Sequence, residues 1–166
     1  MLKYIHYALA ILCGLVWLSF RSKGLRIVGV ATLTGAFLGL SDMEGTIVYV
    51  AFSILTIAIA YGVLSFLEER GFAVKRFKII ALILASSTVL YLTPIAGLVA
   101  FTIFVFVVNV WIYAYYKTGL VGFLPITLGT FLGYLSGFMG WGEMGYVVDW
   151  SLSLFGVLVL RFQNIF

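Results

Sequence analysis

The chain has 166 residues, of which 64% are hydrophobic and only 10% are charged. Soluble domains are about half apolar and about a quarter charged, so this composition excludes a soluble protein. The formal net charge of +4 does not indicate nucleic-acid binding, because the basic residues are spread between apolar segments, where Lys and Arg anchor membrane proteins. We therefore predict an all-α integral membrane protein of the cell membrane, with a single domain over residues 1–166.

Seven apolar segments follow one another along the chain, and each is predicted to cross the membrane as a helix. They lie at about 4–20, 25–41, 46–66, 77–93, 95–116, 119–140 and 146–163. A spanning helix needs about 20 mostly apolar residues, so seven spans fit only if the loops are very short. Helices are expected because backbone amides in lipid must be satisfied within their own segment, and the segments lack the alternating polarity of a barrel.

The basic residues predict the orientation of these spans. With seven crossings, nine of the ten Lys and Arg residues fall on one face: Arg21, Lys23, Arg26, Arg70, Lys75, Arg76, Lys78, Lys117 and Arg161. The other face receives Lys3, Asp42, Glu44, Glu143 and Asp149, and we expect Glu143 and Asp149 to be solvated. Because cytoplasmic loops carry the excess of Lys and Arg, the N-terminus is predicted outside and the C-terminus in the cytoplasm.

Spans one to three are echoed by spans five to seven. Trp17 pairs with Trp111, and the stretch 35–41 recurs at 129–136 with Gly, Phe, Leu, Gly and Ser in the same order. Each span of the first copy is four crossings away from its equivalent in the second copy. Both copies therefore point the same way across the membrane. The pattern predicts a parallel internal repeat of 3+1+3 helices.

Glycines at four-residue spacing mark one face of the second and sixth spans. They are Gly35 and Gly39, and Gly129, Gly133 and Gly137. Small residues at this spacing let helix backbones approach closely, so we expect close packing of spans two and six, or an oligomer contact. The functional alternative is a groove for a lipid tail.

Few polar residues are candidates for a functional site. The candidates for binding a lipid or its headgroup are Glu68, Glu69, Arg70, Lys75, Arg76 and Lys117. Positive loops at the interface attract anionic headgroups, although a solvated loop with internal ion pairs is the plainer alternative. Asn109 is the polar residue deep in a span, and such an amide is expected to bond across helices. His6 has no second His or Cys at ligand spacing, so no metal site is predicted. We recognise no catalytic arrangement.

The sixth span is rich in glycine and ends at Gly140-Trp141. The residues that precede it include Tyr113, Tyr115, Tyr116, Lys117 and Thr118. This stretch is similar to a motif of the UbiA family of intramembrane prenyltransferases, and spans two to seven resemble the first six helices of that family. The resemblance implies a helix bundle that binds a prenyl diphosphate through Mg²⁺ held by aspartate motifs. The matching segment 65–69 contains Glu68 and Glu69 but no Asp.

Three functions therefore stay open. The resemblance implies a catalytically degenerate UbiA-like bundle that binds an isoprenoid or another lipid and uses Mg²⁺ only if prenyl transfer is retained. The second is a small solute carrier of the parallel-repeat type, with a polar lumen expected near Asn109. The third is an accessory subunit of a larger membrane complex. The expected partners are membrane lipid, an isoprenoid, and either a second copy of the chain or a partner subunit.

Overall fold

The computed structural model describes residues 1–41 and 45–163, and only the backbone of residues 137 and 138. In this part, the chain forms seven α-helices and one 3₁₀ helix. They are α1 (Leu2–Leu18), α2 (Lys23–Leu40), α3 (Thr46–Glu69), α4 (Lys75–Ser87), the 3₁₀ helix Thr88–Leu92, α5 (Ala96–Thr118), α6 (Phe123–Met139) and α7 (Glu143–Phe162). Each predicted apolar segment contains a helix, and the predicted all-α class is confirmed. Asp42 and Glu44 lie outside the described residues.

Four of these helices, α2, α3, α5 and α7, are long and apolar enough to cross a membrane. α1 and α6 are apolar but shorter, at 17 residues each. Many large apolar side chains point away from the bundle, among them Leu12, Val30, Ile83 and Phe155. Water would make such an apolar exterior unfavourable, whereas lipid tails solvate it. The helix lengths and the apolar exterior together indicate a membrane protein.

The helix ends carry recognisable signals. The Ser22 hydroxyl accepts a hydrogen bond from the Leu25 amide, 3.1 Å away, and caps the start of α2. The Glu69 carboxylate, at the end of α3, accepts a second hydrogen bond from the Gly24 amide at 2.9 Å. Gly119 and Gly140 end α5 and α6 with φ of +67°, a left-handed conformation that glycine adopts without strain.

Six helices form a closed ring, in the order α1, α2, α3, α5, α6, α7 and back to α1. α4 lies outside this ring against α3, and the 3₁₀ helix contacts both α3 and α5. Spans two and six are closely packed, but each against helices of its own half of the chain. α2 and α6 are not neighbours in the ring, so the expected close packing of one against the other is not seen, and the alternative of an oligomer contact stays a prediction.

The helices run back and forth between two ends of the bundle. At one end of the bundle, the last turn of α3 contacts the starts of α2 and α4. Glu69 accepts a hydrogen bond from the Gly24 amide, and Glu68 forms an ion pair with Lys78. We call this end the basic end, because the nine basic residues named above lie in the helix ends and connections found there. At the opposite end, His6 Nδ1 of α1 lies 2.6 Å from Glu143 Oε2 of α7.

Two glycine pairs hold equivalent helices together in the two halves. A Cβ atom on Gly62 would lie 2.7 Å from the Gly24 carbonyl oxygen, and one on Gly156 would lie 2.5 Å from the Gly122 carbonyl oxygen. The backbones of α2 and α3, and of α6 and α7, therefore touch directly. Lipid tails are as apolar as leucine, so such close packing is a main source of stability between helices in a bilayer.

Substituting Gly62 or Gly156 with Ala is expected to destabilise the bundle by about 1–3 kcal/mol, because the new methyl group has no room. Gly97→Ala is the matched control, since a Cβ atom there would meet nothing within 4 Å. Thermal unfolding of the three variants in detergent measures the effect. Equal melting temperatures for Gly97→Ala and Gly156→Ala would contradict the close packing.

Candidate functional site

A cavity of about 150 Å³ lies inside the ring, and all six ring helices contribute to its wall. The lining residues are Cys13, Trp17, Val28, Thr32, Thr56, Ile59, Val107, Trp111, Ile126, Thr130, Asp149, Trp150 and Ser153. A closed ring of helices thus surrounds a space that contains hydroxyl groups, three indoles and one carboxyl group. We call it the central cavity.

The wall of the central cavity is almost symmetric between the two halves of the chain. Residues 94 apart line the cavity from α1 and α5 and from α3 and α7, and residues 98 apart line it from α2 and α6. The pairs are Cys13 with Val107, Trp17 with Trp111, Val28 with Ile126, Thr32 with Thr130, Thr56 with Trp150, and Ile59 with Ser153. Only Asp149 has no counterpart in the wall, because the residue 94 positions earlier, Leu55, does not line it.

The structure changes one part of the sequence alignment between the halves. The sequence paired Gly35 with Gly129, which are 94 residues apart. The backbone contacts instead make Gly122 the counterpart of Gly24, 98 residues apart and one helical turn further along α6. α5 continues further beyond Trp111 than α1 does beyond Trp17, and this extra length shifts α6.

Asp149 lies inside the bundle against α6, where two of the predicted packing glycines make room for it. A Cβ atom on Gly133 would lie 2.5 Å from Asp149 Oδ2, and one on Gly129 would lie 3.0 Å from Oδ1. The Ser153 hydroxyl donates a hydrogen bond to Oδ1 at 3.2 Å. No Lys or Arg of the described residues pairs with this carboxylate. Asp149, which the sequence led us to expect in solvent, is half-buried and lies on an inner face of the bundle.

A larger cleft, of about 510 Å³, leads from the central cavity toward the end of the bundle opposite the basic end. The two spaces share Thr56, Val107, Thr130 and Asp149. Further out, the cleft is lined by Ser53, Tyr91, Tyr134 and Tyr146. The Ser53 hydroxyl donates a hydrogen bond to the Tyr91 oxygen at 2.7 Å. The Phe104 and Tyr134 rings stack at the side of the cleft, with centroids 3.8 Å apart. Asp149 therefore faces a path toward that end.

A buried aromatic cluster closes the central cavity toward the basic end. The indoles of Trp17 and Trp111 stack with centroids 6.2 Å apart, and Phe123 lies 5.9 Å from Trp111. Phe20 and Phe66 extend the cluster, 5.5 Å from Trp17 and 6.1 Å from Phe123. All five side chains are buried. Two residues that the sequence paired as repeats thus meet at the centre of the ring.

The headgroup candidates lie at the basic end, and none of them lines the central cavity or the cleft. Glu68 pairs with Lys78, and Glu69 accepts from the Gly24 amide, so the two carboxylates are directed to different neighbours. The Arg70 guanidinium lies over the Phe66 ring, and the Lys117 ammonium lies near the Tyr113 and Tyr116 rings. Lys75 and Arg76 are exposed at the start of α4.

Asn109 does not form the expected contact across helices. Its side chain is exposed on the outside of α5, and its amide group donates to the Val105 carbonyl oxygen of the same helix at 2.7 Å. Asn109 lines neither the central cavity nor the cleft, so neither space is the polar lumen that the carrier hypothesis places near it.

The other predicted packing glycines have varied neighbours. Gly39 lies against the Tyr7 ring of α1, whereas a Cβ atom on Gly35 would have ordinary van der Waals contacts, 3.7 Å from Leu55 and 3.8 Å from Phe52. The predicted packing of Gly137 falls outside the described side chains. His6, expected near the membrane interface, is 5% exposed and joins α1 to α7 through Glu143.

The chain matches no protein-family model, no curated protein and no solved structure. Within the described residues, no three His, Cys, Asp or Glu side chains lie close enough together to hold a metal ion. Any functional argument therefore rests on the central cavity itself.

Substituting Gly133 with Ala is expected to displace the Asp149 side chain and to destabilise the protein by about 1–3 kcal/mol. In an Asp149→Ala background the same substitution should cost less, because the carboxylate no longer competes for the space. A double-mutant cycle of unfolding free energies in detergent measures this coupling. Additive effects of the two substitutions would show that Gly133 does not accommodate the carboxylate.

Proposed function

We propose that the protein is a small-solute carrier built from two parallel three-helix repeats, with its solute site in the central cavity at Asp149. The observation that carries the proposal is a carboxylate that faces an internal cavity and has no basic partner in the described part of the chain. Charged groups inside a membrane are costly, and those that occur commonly mark a substrate or ion pathway.

Seven membrane crossings agree with the dimensions of the helices. α4 and the 3₁₀ helix have 13 and 5 residues. Together they rise roughly 30 Å, which equals the thickness of the hydrocarbon core. Placing the basic end in the cytoplasm puts the N-terminus outside and the C-terminus inside, as the bias of Lys and Arg toward cytoplasmic loops requires. In this orientation the cleft opens outward and the aromatic cluster closes the cytoplasmic side.

The symmetric wall of the central cavity supports a parallel repeat. α1, α2 and α3 correspond to α5, α6 and α7, while α4 connects the two halves from outside the ring. In carriers with internal repeats, the solute site lies near the bilayer midplane between the repeats, and rocking of one repeat against the other exposes it to each side in turn. The Trp17–Trp111 contact lies between the halves, so we propose that it separates when the site opens inward.

Binding of an isoprenoid at the basic end is less well supported. That function requires a groove that opens toward Glu68 and Glu69, whereas both carboxylates are engaged by neighbouring groups and neither space reaches them. The helix bundle is otherwise compatible with lipid contacts along its apolar exterior.

Uptake into proteoliposomes tests the carrier function. Purified protein in liposomes should show saturable uptake from a panel of labelled amines, amino acids and sugars, and Asp149→Asn should abolish or reduce it. Glu68→Gln, which removes a carboxylate outside the cavity, should leave uptake unchanged. Uptake no faster than in empty liposomes, together with an isoprenoid that copurifies in mild detergent, would favour the lipid-binding function instead.

Cysteine labelling in whole cells tests the orientation and the direction of the cleft. In a Cys13→Ala background, cysteines at Glu143 and Ser53 should react with a small membrane-impermeant thiol reagent from outside, because one lies at the outer end and the other lines the cleft. A cysteine at Lys75 should react only after the cells are broken. The reverse pattern would overturn the proposed orientation.

A further inference from the structure

We infer that the central cavity binds a small organic ammonium ion. The inference deepens the proposed carrier function and rests on it for the location of the solute site. It follows from three properties of the wall: a carboxyl group without a basic partner, three of the four tryptophans of the chain, and four hydroxyl groups of which three already donate their protons.

The Asp149 carboxyl group is the acidic group of the wall, and when it is ionised no basic side chain of the wall offsets its charge. The wall contains no Lys, Arg or His. Inside a bilayer, an acidic group that faces a cavity is stabilised when a positive group pairs with it. An anionic solute such as a carboxylate or a phosphate would meet repulsion here and would find no cation to neutralise it.

Three of the four tryptophans, Trp17, Trp111 and Trp150, line the same small space. Tryptophans of membrane proteins are most common at the membrane interface, so this concentration inside the ring is unusual. The face of an indole carries negative charge density and attracts ammonium groups, which is how aromatic cages recognise quaternary ammonium ions. The indoles and the carboxylate therefore favour the same kind of ligand.

Three of the four hydroxyl groups that line the wall already donate their protons within the protein, and Thr32 is the fourth. Thr56 and Thr130 donate to the carbonyl oxygens of Phe52 and Ile126 in their own helices, at 2.8 and 2.9 Å. Ser153 donates to Asp149. A sugar needs donors as well as acceptors from its site, whereas an ammonium ion needs only negative charge, acceptors and aromatic faces. Of the four wall hydroxyl groups, only that of Thr32 is left to donate to a solute, and together with Asp149 and the indole faces this favours a cation over a neutral polyol.

The size of the central cavity limits the ligand to a few heavy atoms. Its volume of about 150 Å³ equals roughly five water molecules at their liquid volume of about 30 Å³ each. The ammonium group would lie between Asp149 and the indoles, and any remaining part of the solute would extend into the cleft beside Phe104 and Tyr134.

Titration of the purified protein in detergent tests the inference, with choline as the cationic probe and 3,3-dimethylbutan-1-ol as its uncharged isostere. Tryptophan fluorescence or calorimetry gives the two dissociation constants. Wild type should bind choline at least about tenfold more tightly than the isostere. Asp149→Asn should remove that preference, and Trp150→Leu should weaken choline binding roughly threefold or more. Glu68→Gln, the control, should behave as wild type.

Equal affinities of wild type for choline and the isostere would overturn the inference, and this comparison needs no variant to fold. A choline preference that survives Asp149→Asn would overturn it as well. If liposomes take up an uncharged solute while choline does not bind, the carrier function stands and the ammonium site is wrong. If choline binds with the expected preference and no solute is taken up, the ammonium site stands and the carrier function is wrong.

Discussion

The fold depends on direct backbone contact between helices at glycine. In a bilayer there is no hydrophobic force to hold apolar helices together, so close packing and a few polar contacts must do so. The pairs Gly24–Gly62 and Gly122–Gly156 supply that contact in each half of the chain. A further pair, Gly14 and Gly29, brings α1 onto α2, whereas α5 contacts α6 less extensively. The cleft lies beside this looser contact and gives the central cavity its route outward.

Asp149 shows how the same packing creates a site. Its carboxylate occupies space that exists because positions 129 and 133 of α6 are glycines. The glycine face was therefore a signal of the site as well as of helix packing. The near symmetry of the cavity wall and this one acidic exception are the two observations that support the proposed carrier function.

The sequence predicted the seven helices, the equivalence of the two halves and the Trp17–Trp111 correspondence. It could not predict how each helix is rotated about its axis, because these helices are apolar on all sides and lack a polar face to identify the exterior. Asn109 was consequently expected inside and lies outside, while Asp149 was expected at the surface and lies inside. The sequence also could not show that the correspondence between α2 and α6 is shifted by one helical turn. Glycines four residues apart fit the alignment with or without that shift.

The ring closes where α7 packs on α1, and six helices therefore surround Asp149. A short thiol-specific cross-linker, applied in membranes to a Cys13→Ala chain with cysteines at His6 and Glu143, tests it most directly. An intramolecular cross-link is expected, because the two native side chains are 2.6 Å apart. The pair His6 and Lys75, at opposite ends of the bundle, should not cross-link. Failure of the first pair in folded protein, or a cross-link formed only between two chains, would contradict the closed ring.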